Sequence, residues 1–264
     1  MYTTKYQRPG SVAEAAAALA AGDDAKVLAG GQTLLPTMKQ RLAAPSDLVD
    51  IRAIDGMSGI SADGATLTIG AATTHAEVAG NADVARLCPA LASLAGGIGD
   101  PAVRNQGTIG GSVANNDPAA DYPAAVLALG ATVVTSKREI GADDFFEGLF
   151  STALDDDEII TALRFAVPEA AGYAKFAQPA SRFALVGVFA AKTDAGVRVA
   201  VTGAGEDGVY RHAGFEAALS SNWSPSAIEG VDVAPDGLMS DIHASADYRA
   251  NLVGVMAKRA VAKA

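Results

Sequence analysis

The apolar and polar positions at the start of the chain predict short alternating helices and strands. A serine followed three residues later by a glutamate, then an alanine-rich stretch ending at glycine, predicts a capped helix over residues 11–22. Short apolar runs predict strands over 26–29 and 48–51, with a helix over 34–39 between them. The first fifty residues therefore predict a small α/β unit.

The middle of the chain has a different pattern, with strand-like alternation before and after a helical region. The acidic run 155–158 is interpreted as a solvated turn that precedes a strand. The predicted elements are a strand over 66–70, helices over 74–79 and 84–95, an apolar segment beginning at Asp121, and strands over 132–134 and 159–167.

Residues 168–172 contain proline and glycine and predict a boundary. Beyond it the chain predicts strands first and helices afterwards, which is typical of an antiparallel sheet with helices on one face. These elements are strands over 173–177, 184–192 and 197–202 and helices near 215–219 and 246–261. The predicted fold class is α+β.

Composition and charge exclude several classes of protein. The 264 residues contain 20 Lys and Arg against 30 Asp and Glu, a net charge of −10, which argues against a nucleic-acid partner. The single cysteine excludes a disulfide scaffold and the usual cysteine-rich zinc sites. We find no apolar stretch of membrane-spanning length and no apolar leader at the start, and we expect a cytoplasmic protein without a transmembrane segment.

Two loops carry adjacent glycines. Gly30-Gly31 follows a predicted strand and precedes a predicted helix, and Gly110-Gly111 lies in the segment 107–112, about 80 residues later. Glycine allows positive φ and lets backbone N–H groups approach an anion such as a pyrophosphate. A single loop of this kind is more commonly a tight turn, but the pair suggests one diphosphate ligand held between two subdomains.

Other motifs are interpreted as structural. The G-x-G-x-x-A match at 97–102 follows a predicted helix rather than a strand, so it does not fit a dinucleotide-binding fingerprint. The nucleophile-elbow pattern G-x-S-x-G fails at Ala114. His75, His212 and His243 are far apart, and we expect surface or capping roles for them. Cys88 is expected to be a buried apolar side chain.

Three segments resemble one known family. The segments 29–39 (AGGQTLLPTMK), 99–121 (GDPAVRNQGTIGGSVANNDPAAD) and 173–188 (YAKFAQPASRFALVGV) are similar to the FAD-binding medium subunit of molybdenum hydroxylases. The xanthine dehydrogenase and aerobic carbon monoxide dehydrogenase enzymes contain such subunits, and the second of these branches is the more similar. The resemblance extends over almost the whole chain.

The resemblance implies a two-subdomain FAD-binding fold of the PCMH, or vanillyl-alcohol-oxidase, type, followed by a smaller C-terminal α+β domain. Its expected divisions are residues 1–56 and 57–168 for the two FAD-binding subdomains and 169–264 for the C-terminal domain. It also implies that both glycine loops contact the FAD pyrophosphate. The contacts carried over to this sequence are Val27, Leu28, Ala29, Gly30, Gly31, Gln32, Thr33, Leu34, Leu35, Ile98, Thr108, Ile109, Gly110, Gly111, Ser112, Asp121, Ile160 and Lys175.

Some of these residues also have a structural interpretation. Asp121 precedes Tyr122-Pro123 and an apolar segment, so it is equally well read as a helix N-cap. Arg104 and Asn105 are interpreted as residues that organise the glycine-rich loop by hydrogen bonds to nearby backbone.

The implied function is an electron-transfer oxidoreductase subunit. In this family a small subunit with two [2Fe–2S] clusters and a large molybdopterin subunit complete a heterotrimer or its dimer, and reduced FAD passes electrons to an external acceptor. One cysteine cannot ligate a cluster, so such clusters would belong to other chains. We assign no catalytic acid, base, nucleophile or metal ligand to this chain. The alternative is a stand-alone FAD-dependent oxidase or reductase of the same fold.

Overall fold

The computed structural model describes all 264 residues. No helix has both the length and the apolar character needed to cross a membrane. The helices are α1 (Val12–Ala21), α2 (Leu34–Lys39), α3 (His75–Gly80), α4 (Ala82–Leu87), α5 (Pro89–Gly96), α6 (Pro101–Arg104), α7 (Ile109–Asn115), α8 (Tyr122–Ala128), α9 (Ala213–Ser221) and α10 (Ala246–Val261), with 3₁₀ turns at Ala142–Asp144 and Pro225–Ile228.

The strands form four sheets. They are β1 (Lys5–Gln7), β2 (Ala25–Leu28), β3 (Asp47–Asp50), β4 (Ile60–Asp63), β5 (Thr66–Gly70), β6 (Thr132–Thr135), β7 (Glu139–Gly141), β8 (Phe146–Gly148), β9 (Ser151–Thr152), β10 (Ile160–Ala166), β11 (Ala170–Ala177), β12 (Ala184–Thr193), β13 (Gly196–Gly205) and β14 (Gly208–Arg211).

The first sheet is parallel, with strand order β1-β3-β2. Helix α1 covers one face of it, and its N-cap Ser11 accepts a hydrogen bond from the Glu14 N–H. Helix α2 lies against a separate small cluster of Leu28, Met38 and Leu48. The predicted α/β unit is therefore confirmed, with β1 as an additional strand.

The second sheet is antiparallel, with order β4-β5-β10-β6-β7. Helix α7 packs against its strand β10, and helices α3 to α8 pack on one another. The prediction of a single helix over 84–95 is wrong, because the structure has two helices there, α4 and α5, which are separated at Cys88-Pro89. Proline has no N–H to continue the α4 hydrogen bonds, and it begins α5 instead. Cys88 is 1% exposed, as expected of a buried apolar side chain.

The acidic run before β10 is only partly solvated. The Glu158 carboxylate is fully buried, accepting from the Thr135 hydroxyl and pairing with Arg138. These hydrogen bonds outweigh desolvation and lower the pKa of Glu158 to about 2. The prediction of a solvated turn is therefore wrong for its last residue.

The C-terminal sheet has order β11-β12-β13-β14, one strand more than predicted. Helices α9 and α10 cover one face, and α8 from the preceding segment covers the other. Neighbouring β12 residues therefore alternate between two cores: Val188 packs with the α10 side and Phe189 with the α8 side. Burial on both faces explains why β12 reads as a continuous apolar run.

The main core joins segments that the sequence assigned to different domains. Its 41 buried residues include Tyr173, Phe189 and Ala200 of the C-terminal sheet together with residues of α1, α5 and α8. The divisions at residues 56 and 168 remain a prediction.

Candidate functional site

A cleft of about 490 Å³ lies where the two glycine loops meet a loop of the C-terminal sheet, and this volume suits a small-molecule ligand. Ser181 and Phe183 of the C-terminal loop contribute to its wall. The predicted residues in the wall are Val27, Leu28, Ala29, Gly30, Gly31, Gln32, Thr33, Leu34, Ile98, Gly111, Ser112 and Asp121.

The first loop presents unpaired backbone donors. The N–H groups of the five residues 29–33 donate to no acceptor in the chain, and all five residues line the cleft. Gly31 has a φ of +68°, a conformation that L side chains rarely adopt. Unpaired N–H groups need an acceptor from solvent or ligand, so this loop is suited to an anion.

Gly30 is required for a close approach between the two loops. A Cβ at this position would lie 2.2 Å from the Gln106 carbonyl oxygen and 2.6 Å from the Gly107 Cα. The absence of a side chain at Gly30 therefore lets the first loop rest directly on the backbone that leads into the second.

Most backbone N–H groups of the second loop already donate to acceptors within the protein. The Ile109 and Gly110 N–H groups donate to the carbonyl oxygens of Thr73 and Ala71, and the Gly111 N–H donates to the Thr108 hydroxyl. Thr108 is thereby the N-cap of α7. The two loops differ physically: the first offers free N–H groups, whereas the second is anchored to the segment before α3.

Six of the predicted site residues lie outside the cleft wall. Ile109, Gly110 and Ile160 are buried in the core or against it, and Thr108 faces the Gly111 N–H. The complete set is Leu35, Thr108, Ile109, Gly110, Ile160 and Lys175.

Asp121 connects the cleft to the C-terminal sheet. Its carboxylate is 3% exposed, accepts from the Tyr173 hydroxyl at 2.5 Å and is bound by the Lys175 ammonium group at 2.9 Å. Burial raises the pKa of Asp121, and the Lys175 charge and the Tyr173 hydrogen bond oppose that shift. Asp121 occupies the N-cap position of α8 but makes no capping hydrogen bond. Lys175 therefore contacts Asp121 from outside the cleft wall.

Two arginines hold the segment at the far wall of the cleft. Arg104 donates from Nη1 to the carbonyl oxygens of Ile98 and Gly99, each at 2.9 Å. Asn105 donates to the Pro101 carbonyl oxygen at 2.7 Å. The predicted loop-organising role of Arg104 and Asn105 is confirmed, and Arg182 also donates to the Gly99 carbonyl oxygen.

His75 lies in the cleft wall and is only 5% exposed. The expectation of a surface or capping role is wrong for this histidine, because tertiary packing places it under the second glycine loop. His212 does have a capping role, since its Nδ1 accepts from the Phe215 N–H, and His243 is exposed.

Sequence reasoning missed several residues of the wall. Gly107 and Asn115 lie in the quoted glycine segment, so the motif itself was the signal for them. Phe183 lies in the third quoted segment, 173–188, so the resemblance was also a signal for it. His75 is supplied by another element, and no local pattern assigned it to the cleft. Phe183 is 48% exposed, which leaves an aromatic face available to a ligand.

The residues present fit FAD. The free N–H groups of residues 29–33 match the charge of a diphosphate, and the exposed aromatic ring of Phe183 matches a planar apolar ring system. A cleft that combines a few convergent donors with apolar walls is typical of cofactor sites.

Comparisons with known proteins agree with this assignment. The family described as "FAD binding domain in molybdopterin dehydrogenase" matches residues 2–169. The nicotine 6-hydroxylase medium subunit of Paenarthrobacter nicotinovorans is 35% identical over 98% of this chain and 96% of its own. The carbon monoxide dehydrogenase medium chain of Hydrogenophaga pseudoflava is 34% identical over 97% of this chain and 95% of its own.

A solved structure shows the same fold. Carbon monoxide dehydrogenase from Hydrogenophaga pseudoflava, in a form lacking the Mo-pyranopterin moiety of the molybdenum cofactor, superposes with a TM-score of 0.90 at 35% identity. The match covers 99% of this chain and 96% of that chain.

Proposed function

Since the chain belongs to the family of FAD-binding domains in molybdopterin dehydrogenases, we propose that it is the electron-transfer subunit of a three-subunit molybdenum hydroxylase. The chain is an FAD-binding medium subunit and part of an oxidoreductase. The proposal adds that its electrons come from [2Fe–2S] clusters of a small subunit and leave to an external acceptor.

The row of free N–H groups at residues 29–33 carries this proposal. These groups would hold the diphosphate without side-chain charge, which suits a chain with a net charge of −10. The second loop supports them from behind, because Gly30 packs on its first residues. We propose that the predicted residues of the two glycine loops hold the pyrophosphate, and that Ile98, Ile160 and Lys175 lie on the flavin side.

Asp121 and Lys175 would act as a pair. Asp121 lines the cleft, and Lys175 holds its carboxylate while donating to the Arg182 carbonyl oxygen in the loop that carries Phe183. The pair therefore fixes the C-terminal loop against the cleft. This arrangement would orient a cofactor and exclude water from that side.

Bound FAD supplies the redox chemistry, since the isoalloxazine ring can take up two electrons and release them singly or together. The chain contributes binding, orientation and shielding. Its only cysteine, Cys88, is buried, and burial raises the pKa of its thiol to about 11. The chain therefore has no ligands for an iron–sulfur cluster, and the proposed complex has separate small [2Fe–2S] and large molybdopterin subunits. A cytoplasmic location stays a prediction.

The test uses the full chain purified with its flavin. We expect the absorption bands of oxidised flavin and rapid bleaching when a reduced [2Fe–2S] protein is mixed with it anaerobically. The same sample should not be bleached by small organic substrates such as aldehydes, alcohols or N-heterocycles.

Two outcomes would count against the proposal. Purified chain that neither contains nor takes up FAD would remove it. Bleaching by an organic substrate in the absence of any other subunit would replace it with the stand-alone oxidase or reductase.

A further inference from the structure

His75 lies under the point where the two glycine loops meet. Its backbone N–H donates to the Gly107 carbonyl oxygen at 2.9 Å, and a Cβ added to Gly107 would lie 2.6 Å from His75 Nε2. Gly107 in turn supports Gly30, whose own added Cβ would lie 2.6 Å from the Gly107 Cα. The imidazole ring is thus packed against the residue that links both loops.

The polar atoms of this ring are unpaired. Nδ1 is fully buried and has no hydrogen-bond partner. Nε2 also makes no hydrogen bond in the chain, but it is not among the fully enclosed unpaired atoms, and His75 lines the cleft. Nε2 is therefore the ring nitrogen with access to the cleft. A buried histidine that served packing alone would normally have at least one nitrogen satisfied within the protein.

The groups around His75 favour its neutral form. Burial, and secondarily the positive charge of Arg104, lower the pKa of His75 to about 4. The Tyr122 ring lies 5.3 Å away, centroid to centroid, and its hydroxyl is also buried without a partner. Helix α5, which packs against α3, contributes no titratable side chain, and α4 contributes Asp83 and Arg86, which pair with each other at its surface.

A neutral imidazole has one donor and one acceptor nitrogen. Leaving a buried donor unpaired is rarer in native structures than leaving an acceptor unpaired, so the proton belongs on the accessible Nε2. In that tautomer Nε2–H is a donor directed to the cleft beside the linked loops. Its acceptor must come from solvent or from a ligand.

We propose that His75 is a diphosphate-binding residue whose Nε2–H donates a hydrogen bond to a phosphate oxygen of FAD. The inference rests on the proposed function, since it assumes that the glycine loops hold the diphosphate. It adds to them one side-chain donor, supplied by α3, that no sequence motif indicated.

The test compares four full-length variants as apoprotein titrated with FAD. His75→Phe keeps the ring but removes both nitrogens, and His75→Gln places an amide donor near the Nε2 position. His75→Asn places its amide near Nδ1 instead, and His243→Phe is the control at an exposed histidine. We expect the Kd for FAD to rise at least about tenfold for the Phe and Asn variants and to stay within about threefold of wild type for the others.

A second titration locates the contact. ADP carries the diphosphate without the flavin, and riboflavin carries the flavin without phosphate. The Phe variant should lose ADP affinity by about the same factor as FAD affinity, and riboflavin affinity should not change. Circular dichroism and the unfolding midpoint of each apoprotein check that the fold is retained.

Three results would overturn the inference. The first is equal FAD affinity in wild type and the Phe variant. The second is equal FAD affinity in the Gln and Asn variants, a comparison that remains valid even if the Phe variant does not fold. The third is a loss of FAD affinity with unchanged ADP affinity. Failure of the proposed function is distinct, because it would appear as wild type that does not bind FAD or as wild-type flavin that an organic substrate bleaches.

Discussion

The low pKa of His75 makes the stability of the apoprotein depend on pH. The folded-state pKa of about 4 lies below the ordinary value of 6.5, so the unfolded chain binds a proton more readily between these values. The contribution of His75 to the free energy of unfolding is therefore fully present above about pH 6.5. It decreases as pH falls towards 4, by about 3 kcal/mol in total. His212 has a pKa lowered by burial and adds a loss of the same sign.

Urea unfolding of wild type and His75→Phe between pH 7 and pH 5 measures this effect. The free energy of unfolding of wild type should fall more steeply, by up to about 1.4 kcal/mol per pH unit. Glu158 and Asp50, with pKa values of about 2, lose their contributions only at lower pH and do not interfere in this range. Parallel pH profiles for the two proteins would show that His75 is not the titrating group.

Gly30 offers a second test at the level of one residue. Gly30→Ala places a methyl group 2.2 Å from the Gln106 carbonyl oxygen, so the two glycine loops must separate. We expect the unfolding free energy to fall by about 1–3 kcal/mol and FAD to bind more weakly. Denaturant titration and FAD titration measure the two effects.

The matched control is Gly254, in the middle of α10, where an added Cβ meets no atom within 4 Å. Gly254→Ala should raise stability by about 0.5–1 kcal/mol, because it restricts the unfolded chain and improves helix propensity. Equal effects of the two substitutions would show that the close approach of the loops is not needed.

Among elements, the junction of α8 and β11 depends on one buried ion pair. Lys175→Met removes the charge that compensates Asp121, whose side chain is 3% exposed. We expect the unfolding free energy to fall by about 3 kcal/mol. Adding Asp121→Asn should restore part of the loss, since no buried charge remains. A double variant no more stable than Lys175→Met would contradict this account.

Elements were predictable where local signals were strong. The sequence predicted α2 over 34–39, β5 over 66–70 and α10 over 246–261 with the bounds that the structure has. The short strands β1, β4, β7 and β14 were missed because three or four residues carry too little periodicity to distinguish them from loops. The break at Cys88-Pro89 was available in the sequence as a proline signal.

The site was predictable only in part. Glycine pairs mark both loops, but the sequence does not show that their N–H groups differ. The second loop donates to the carbonyl oxygens of Ala71 and Thr73, a tertiary contact, whereas the N–H groups of the first loop remain free. The same contacts place His75 in the cleft. A pattern along one segment has no information about an imidazole supplied by another helix.

For the whole molecule, the shared core predicts cooperative unfolding. Tyr173, Phe189 and Ala200 pack in one cluster with α8, and α8 covers a face of the C-terminal sheet. Neither side of residue 168 can then unfold without exposing the core of the other. We expect one calorimetric transition with equal calorimetric and van't Hoff enthalpies. Two separate transitions would show that the C-terminal domain is independently stable.

The small cluster under α2 has a consequence for the lifetime of the protein in the cell. This cluster has three buried residues, Leu28, Met38 and Leu48, with Leu34, Leu35 and Ala43 partly buried against it. The adjoining loop has five amides without acceptors. We expect a small cluster beside unpaired amides to open more easily than the main core, and a ligand that spans both loops would oppose this opening. We therefore expect proteases to cut the apoprotein first near residues 29–42, so that riboflavin supply, rather than synthesis of the chain alone, would set how much of it persists.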